Sequence, residues 1–415
     1  MKSYIFFFIS SLSLFAFDLP PSIPIEIPMR DKETLEADLY LPYPGAKNLP
    51  CILIRSPAGR QNPYALMYLS LLKEGYAIVI QETRSIKDTE GKTLPFISDG
   101  WGDQQDGFDT IEWLAEAPFT NGEIGTVGAS AMGITQLLLA PTRPKGLKAQ
   151  YIAFACSDFY HQGLYHDGEL MKHQIENWLA LYAKHPDAYS TIYTQPRYNT
   201  FWEQFNMLPL AGHCNKPALH VGGWYDTFLK GSLEAYSNLQ ESGGAGCKGA
   251  QKLVVGPWCH LWPHFKNFGE YDYPQEALNP PLDFTPERWF AGYLKQDTSG
   301  IDALPPVLYY VMGTVDGSPS SGNRWEKADH WPIAHNKAPL FLSQKGLSTR
   351  PSESSETYKY SYDPENPIPT LGGRNLFLPS GPVDQRPIES RNDLLLFTSE
   401  PLENDLEVTG NIEAI

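Results

Sequence analysis

Apolar and polar residues first alternate along this chain. Residues 25–31 (Ile-Glu-Ile-Pro-Met-Arg-Asp) and 35–41 (Leu-Glu-Ala-Asp-Leu-Tyr-Leu) place every second side chain on one face, the pattern of a half-buried hairpin. The period then changes. Residues 51–54 and 76–80 are short unbroken apolar runs, as in strands buried on both faces, and residues 64–74 between them predict a helix. A helix is predicted over 106–116 from the spacing of Phe108, Ile111, Trp113 and Leu114. A strand through Gly125–Gly128 follows, then a turn, then a helix over 134–140, and residues 147–155 predict another strand. Strand and helix in alternation imply a parallel sheet with helices on its faces.

Residues 159–210 break this rhythm. They are rich in aromatics, His and Tyr, with a helical stretch at 168–182, and read as an insertion over the sheet, the natural place of a lid. The sheet resumes at 217–221 and 252–255 with a helix at 229–239 between them. A closing helix runs through 288–294, with Pro286 in its first turn and Thr285 as its cap. Beyond Asp302 the runs are short and separated by Gly, Pro, Ser and Asn: 307–311, 340–342, 358–360, 394–397 and 406–408. These predict an all-β domain. They are few for a sandwich that must cover two sheets and protect its edges, so the sequence reads as C-terminally truncated, against a minimal sandwich or one completed by a partner chain. The expected domains are an N-terminal segment at 1–17, an α/β domain at 18–300 containing the insertion, and a partial β domain at 301–415.

Composition narrows the class. With 415 residues, 42% of them hydrophobic, the chain has ample material for a large core, and a formal net charge of −16 leaves no basic stripe for nucleic acid. Lys2 followed by an apolar run over 4–17 reads as an export signal, too short to span a bilayer comfortably. The mature protein is therefore expected in the periplasm or secreted, without a membrane span. The five cysteines show no metal-ligand spacing. Cys214 and Cys247 lie in polar surroundings and form the pair considered for a disulfide, whereas Cys51 and Cys156 read as buried small hydrophobes.

The chemistry is concentrated at Gly128-Ala-Ser130-Ala-Met-Gly133. A serine at the apex of a strand-to-helix turn is how a sheet lifts a nucleophile into solvent, and glycines on either side permit the close approach this requires. The spacing is one residue longer than the usual Gly-x-Ser-x-Gly, and a plain turn is the bland alternative. Two further residues follow predicted strands at their C-terminal ends: Asp226 in Gly222-Gly-Trp-Tyr-Asp226, and His260 after Gly256-Pro-Trp-Cys259. A serine nucleophile needs a base, and the base an orienting acid, so the order Ser130, Asp226, His260 is that of a hydrolase triad. Taken singly, His260 reads as a loop histidine and Asp226 as a helix cap.

These motifs give the chain a resemblance to the cocaine-esterase-like and X-prolyl dipeptidyl-peptidase-like serine hydrolases. The likeness is carried by Arg55-Ser-Pro57 with Gly59, Gln81-Glu-Thr-Arg84, Asp109-Thr-Ile-Glu-Trp-Leu114, the serine turn, Gly223-Trp-Tyr-Asp226, Gly256-Pro-Trp-Cys-His260, Arg288-Trp-Phe290 and Gly381-Pro-Val-Asp-Gln-Arg386. The resemblance implies an α/β fold, specifically an α/β-hydrolase core with a helical cap and a C-terminal jelly roll longer than the one present. It implies acyl transfer from an ester, an amide or a short peptide to water through Ser130, His260 and Asp226, with no metal or organic cofactor. It also implies an oxyanion hole made by the backbone N–H of Ala131 and by a tyrosine hydroxyl at the position occupied here by Ala58. The family usually has tyrosine at both places. Tyr64, Arg60 or a backbone N–H near Gly59 are the candidates to replace the missing donor. Asp167 and Glu169 in the cap, and Trp224 beside the acid, are the candidate substrate-binding residues; a carboxylate there would hold an ammonium, unless Asp167 or Glu169 caps the next helix. Arg84 and Asp88 read as a loop brace. Two alternative functions stand beside the esterase or acylase reading: an X-Pro dipeptidyl aminopeptidase, and a catalytically impaired hydrolase-fold binding protein.

Overall fold

The computed structural model describes residues 20–413, apart from 89–92, 185, 261–266, 315, 317, 319, 335, 344–345 and 356. The proposed export signal therefore lies outside the described residues.

The alternating segments form a hairpin of β1 (Ile23–Pro28) and β2 (Thr34–Tyr40), antiparallel with Ile25 opposite Ala37. The unbroken apolar runs become β3 (Leu49–Ser56) and β4 (Ala77–Glu82). Every residue of β4 is buried, as expected of a strand covered on both faces. They are followed by β5 (Thr120–Ala129), β6 (Leu147–Ala153), β7 (Ala218–Gly223) and β8 (Lys252–Gly256). Two further strands, β9 (Val307–Val311) and β10 (Arg324–Ala328), complete a ten-stranded sheet ordered β1-β2-β4-β3-β5-β6-β7-β8-β9-β10. Pairing is parallel from β4 through β9 and antiparallel at both edges.

Four helices matter for the site: α1 (Asp106–Glu116), α2 (Ala131–Leu139), α3 (Leu229–Ser242) and α4 (Pro286–Leu294). Every residue of α2 is buried, so it lies inside the molecule between the sheet and the cap. On the other face α4 crosses β5, where Gly125 makes room: a Cβ there would lie 2.5 Å from the Phe290 ring. Thr285 accepts the hydrogen bond of a helix cap from Arg288 N at 3.3 Å.

Several expectations need correction. Residues 307–311, the first run expected of the β domain, pair with the hydrolase sheet: β9 lies parallel to β8, with Leu253 opposite Val307, and is wholly buried. An apolar pentapeptide has the same pattern in a sandwich and in a sheet core, and the vacant edge of β8 decided between them. Among the described residues after 328, two three-residue strands form (Phe341–Ser343 and Gly346–Ser348), and no strand forms at 358–360, 394–397 or 406–408. Runs this short have no ladder without a partner strand beside them. The helix expected at 64–74 is one α-turn, Pro63–Leu66, followed by a tighter 3-10 segment, Met67–Glu74. The stretch at 168–182 opens with a small hairpin of Tyr165–His166 and Glu169–Leu170 before helix Lys172–Asn177 and a wide π turn, Trp178–Ala183. Finally, all five cysteines are free and buried. Cys214 and Cys247 sit in the apolar cluster beneath the cap rather than in polar surroundings, with their thiols held at backbone carbonyls of Leu210 and Leu239.

Candidate active site

Ser130 stands between β5 and α2 with φ 58° and ψ −126°, a conformation that costs a non-glycine residue about 1–3 kcal/mol. The packing on both sides leaves it no alternative. A Cβ at Gly128 would lie 2.5 Å from Cβ of Met132, and one at Gly133 would lie 2.7 Å from Cβ of Ala155. The Ser130 N–H donates to Ala153 O at 2.9 Å, and its carbonyl accepts from Ile134 N at 2.9 Å. The strand, the turn and the helix start are thus fixed as one unit.

Asp226 and His260 leave the ends of β7 and β8, which lie side by side in register with Gly223 opposite Gly256. Close packing around Trp258 sets the path of the second loop: Cβ atoms at Gly223 and Gly256 would run into Trp258 at 2.3 and 2.2 Å. Asp226 is fully buried. Its Oδ1 accepts the Phe228 N–H at 2.5 Å, and its Oδ2 lies 2.6 Å from Nδ1 of His260. Asp226 therefore orients the imidazole with one oxygen and closes a turn at Phe228 with the other; it does not cap α3, which starts after Phe228 with no side-chain cap. Nε2 of His260 lies 2.8 Å from Ser130 Oγ. The rings of Phe228 and Phe154 stand edge-on to the imidazole, at centroid distances of 5.4 and 6.1 Å. The three residues singled out from sequence are brought into one hydrogen-bonded chain, oriented on one side by a carboxylate and walled by aromatics.

Ala131 is buried and supplies the first N–H of α2, which has no carbonyl within the helix to receive it. The loop carrying Ala58 leaves β3, the parallel neighbour of β5, at the same end of the sheet. The Ala58 N–H turns back toward Ser56 Oγ at 3.3 Å. Of the suggested replacements for a donor at that place, Arg60 is committed elsewhere. Its guanidinium meets Asp38 at 2.7 Å, Glu82 at 3.3 Å, and Glu36. The Gly59 N–H donates to Ser56 O at 3.3 Å. The Tyr64 ring packs half-buried against the core, and burial raises its hydroxyl above the ordinary tyrosine range.

A cavity of about 10 Å³ opens at Ser130. Ala131, Ile134, Phe159, Ile175, Trp178 and Phe228 wall it, together with Gly163, Gln174 and, from the C-terminal region, Leu376. Phe96 stacks on Trp178 at 5.7 Å and meets Phe159 edge-on at 5.2 Å, so the aromatic wall is braced from behind. Gln174 is engaged at both ends of its amide, accepting from Thr227 Oγ1 at 2.8 Å and donating to Gly163 O at 3.1 Å.

The substrate-binding candidates are not among these lining residues. Asp167 and Glu169 are exposed at the hairpin of the cap, and helix Lys172–Asn177 begins at Met171 with no side-chain cap from either. Trp224 faces the opposite way: its Nε1 donates to Tyr310 O at 2.7 Å and its ring meets Trp331 at 5.8 Å, pinning β7 to β9. Arg84 is a brace, but its partners are Asp106 at 2.7 Å and Asp31 at 2.9 Å, while Asp88 accepts from Thr93 N. Sequence reasoning missed Phe159, Ile175, Trp178 and Phe228 as the cavity wall. Their one signal was the aromatic richness of the insertion.

The family model of the X-Pro dipeptidyl-peptidase (S15 family) matches residues 31–191 and 172–262. The chain belongs to this family. The S15 family's C-terminal non-catalytic domain model matches residues 299–415. Within the family, the cocaine esterase of Rhodococcus sp. (strain MB1 Bresler) is 29% identical over a 460-residue alignment, which covers 94% of this chain and 76% of that protein. An aminopeptidase from a marine sediment Thaumarchaeota archaeon superposes with a TM-score of 0.73 at 23% identity, over 93% of this chain and 73% of that one. An α-amino acid ester hydrolase superposes with a TM-score of 0.70 at 20% identity, over 99% and 77%. This S15 protein is an α/β-hydrolase-fold enzyme, a serine hydrolase acting on ester or amide bonds.

Proposed function

We propose that Ser130 is the nucleophile, His260 its base and Asp226 the orienting acid of an esterase that takes small uncharged acyl groups. The observation that carries this is the unbroken chain from Ser130 Oγ through the imidazole to Asp226, at 2.8 and 2.6 Å. His260 takes the serine proton as Oγ attacks the carbonyl carbon, then passes it to the departing alkoxide or amine. Asp226 fixes the tautomer and stabilises the imidazolium. Water deprotonated by His260 then cleaves the acyl-enzyme. The Ala131 N–H faces the developing oxyanion as the first free donor of α2. Without a hydroxyl at Ala58, the second donor is missing from its usual place, and loss of one such donor costs about 10²–10³-fold in rate.

The described lining of the cavity holds no charged side chain. The space at Ser130 is no larger than a water, and none of its described lining residues would pair with a substrate ammonium, which favours a neutral acyl group over the α-amino acyl and X-Pro readings. In this reading residues 1–17 direct export, and the reaction takes place outside the cytoplasm. The test is a panel of p-nitrophenyl esters and Xaa-Pro-nitroanilides alongside a fluorophosphonate probe. The neutral esters are expected to turn over and the probe to label the wild type, and Ser130→Ala to lower turnover by at least about 10³-fold. Efficient cleavage of Xaa-Pro-nitroanilides would move the assignment to the dipeptidyl-peptidase reading. A folded wild type that neither turns over nor labels would leave the hydrolase-fold binding protein.

A further inference from the structure

The helix that leaves the serine carries a buried amide that the reaction scheme does not use. Gln136 is 3% exposed, on a helix whose neighbouring residues Ile134, Leu137 and Leu138 are apolar. Its Nε2 donates to Met132 O at 3.1 Å, to Tyr151 O at 3.1 Å and, at 3.4 Å, to Gly128 O. Its Oε1 accepts from Thr126 Oγ1 at 2.7 Å. Three carbonyls around one end of the side chain fix which end carries the NH₂. Gly128 and Met132 are the residues two before and two after Ser130. A single amide group therefore holds the carbonyls on both flanks of the strained residue, and it ties that turn to β6 through Tyr151.

Packing alone gives no reason for this residue. A leucine or methionine would fill the space without the desolvation cost of an amide. A strained backbone conformation, in contrast, persists only where its surroundings over-determine it. We propose that Gln136 is a positioning residue whose clamp on the Gly128 and Met132 carbonyls holds the Ser130 backbone, and with it the direction of Oγ toward His260. The proposal rests on Ser130 being the nucleophile. Thr126, on the far end of the amide, contributes to stability and not to the clamp.

The experiment uses the full-length protein with Gln136→Met, which keeps the volume and removes the amide, and Thr126→Val, which removes the Oε1 partner and leaves the clamp. For each, kcat and KM on p-nitrophenyl acetate and the rate constant of fluorophosphonate labelling are measured per labelled site, so that unfolded molecules do not count. Gln136→Met is expected to lower kcat and the labelling rate constant about 10- to 100-fold, as misplacing a reacting atom does, with KM nearly unchanged. Thr126→Val is expected to lose stability and keep its rate constants. Equal losses in the two variants, or wild-type rate constants in Gln136→Met, overturn the clamp. Should Gln136→Met not fold, the same substitution is made in the Thr126→Val background, which leaves no hydroxyl unpaired, and is read against Thr126→Val alone. A wild type that does not label overturns the nucleophile and the clamp together, whereas a labelling-competent Gln136→Met at full rate overturns the clamp alone.

Discussion

The hydrolase body and the C-terminal stretch after residue 328 both carry apolar runs, and those runs behave differently. In the body, β3, β4 and β9 bury nearly every side chain, and the serine turn is fixed by contacts on all sides. In the C-terminal stretch, Leu342, Leu396, Leu402, Val408 and Ile412 are between 56% and 86% exposed. One loop in it is closed by its own hydrogen bonds. Gly373 and Gly381 pair at 2.8 and 3.0 Å, and Asn375 Nδ2 braces the interior through Gly372 O and Pro379 O. That loop docks on the body at Glu270, whose N–H reaches Pro382 O at 2.9 Å, and sends Leu376 into the cavity at Ser130. An apolar run becomes structure where a neighbour stands ready to receive it; β9 had the edge of β8, and the later runs had none among the described residues.

This contrast predicts where perturbations are felt. The largest effect is expected from acid. His220 in β7 is buried, and burial depresses its imidazole to about 4. The unfolded chain protonates the same group near 6.5, so between these values the unfolded state binds more protons and stability falls as pH falls. The difference amounts to about 3 kcal/mol by pH 4. Urea titrations from pH 7 to 4 are expected to show a steeper loss in the wild type than in His220→Gln, and equal slopes would remove His220 from the account. A smaller effect is expected at the point where the two regions meet. Leu376→Ala deletes the C-terminal contribution to the cavity wall and is expected to lower kcat/KM for p-nitrophenyl acetate about 3- to 10-fold, the scale of a lost apolar contact in a pocket. Unchanged kinetics would mean that the loop decorates the site without shaping it. The smallest effect belongs to the exposed stretch itself. Leu396→Ser is expected to shift stability by no more than about 0.5 kcal/mol. A loss of 2 kcal/mol or more in denaturant titration would show that this surface is covered in solution.

Much of the site is legible in the residues alone. The turn around Ser130 is readable because glycines at 128 and 133 have a steric purpose, which the close approaches of Met132 and Ala155 display. Asp226 and His260 are readable because residues after parallel strands converge at one sheet end. Asp167 and Glu169 mislead because a carboxylate near a cap looks the same in sequence whether it faces a cavity or water. The aromatic wall is illegible for the same reason: nothing local distinguishes Trp178 and Phe228, which face Ser130, from Trp224, which faces Trp331.

The sequence by itself determined the alternation of strand and helix, the strained serine turn and the order of the three residues. These depend on short-range sterics and on periodicity, which neighbouring residues carry. Only the tertiary structure decided that residues 307–311 complete the hydrolase sheet, that Gln136 reaches both flanks of Ser130, and that the cavity is lined without charge among the described residues. Those facts depend on which distant segments arrive side by side, and packing, not local propensity, fixes that.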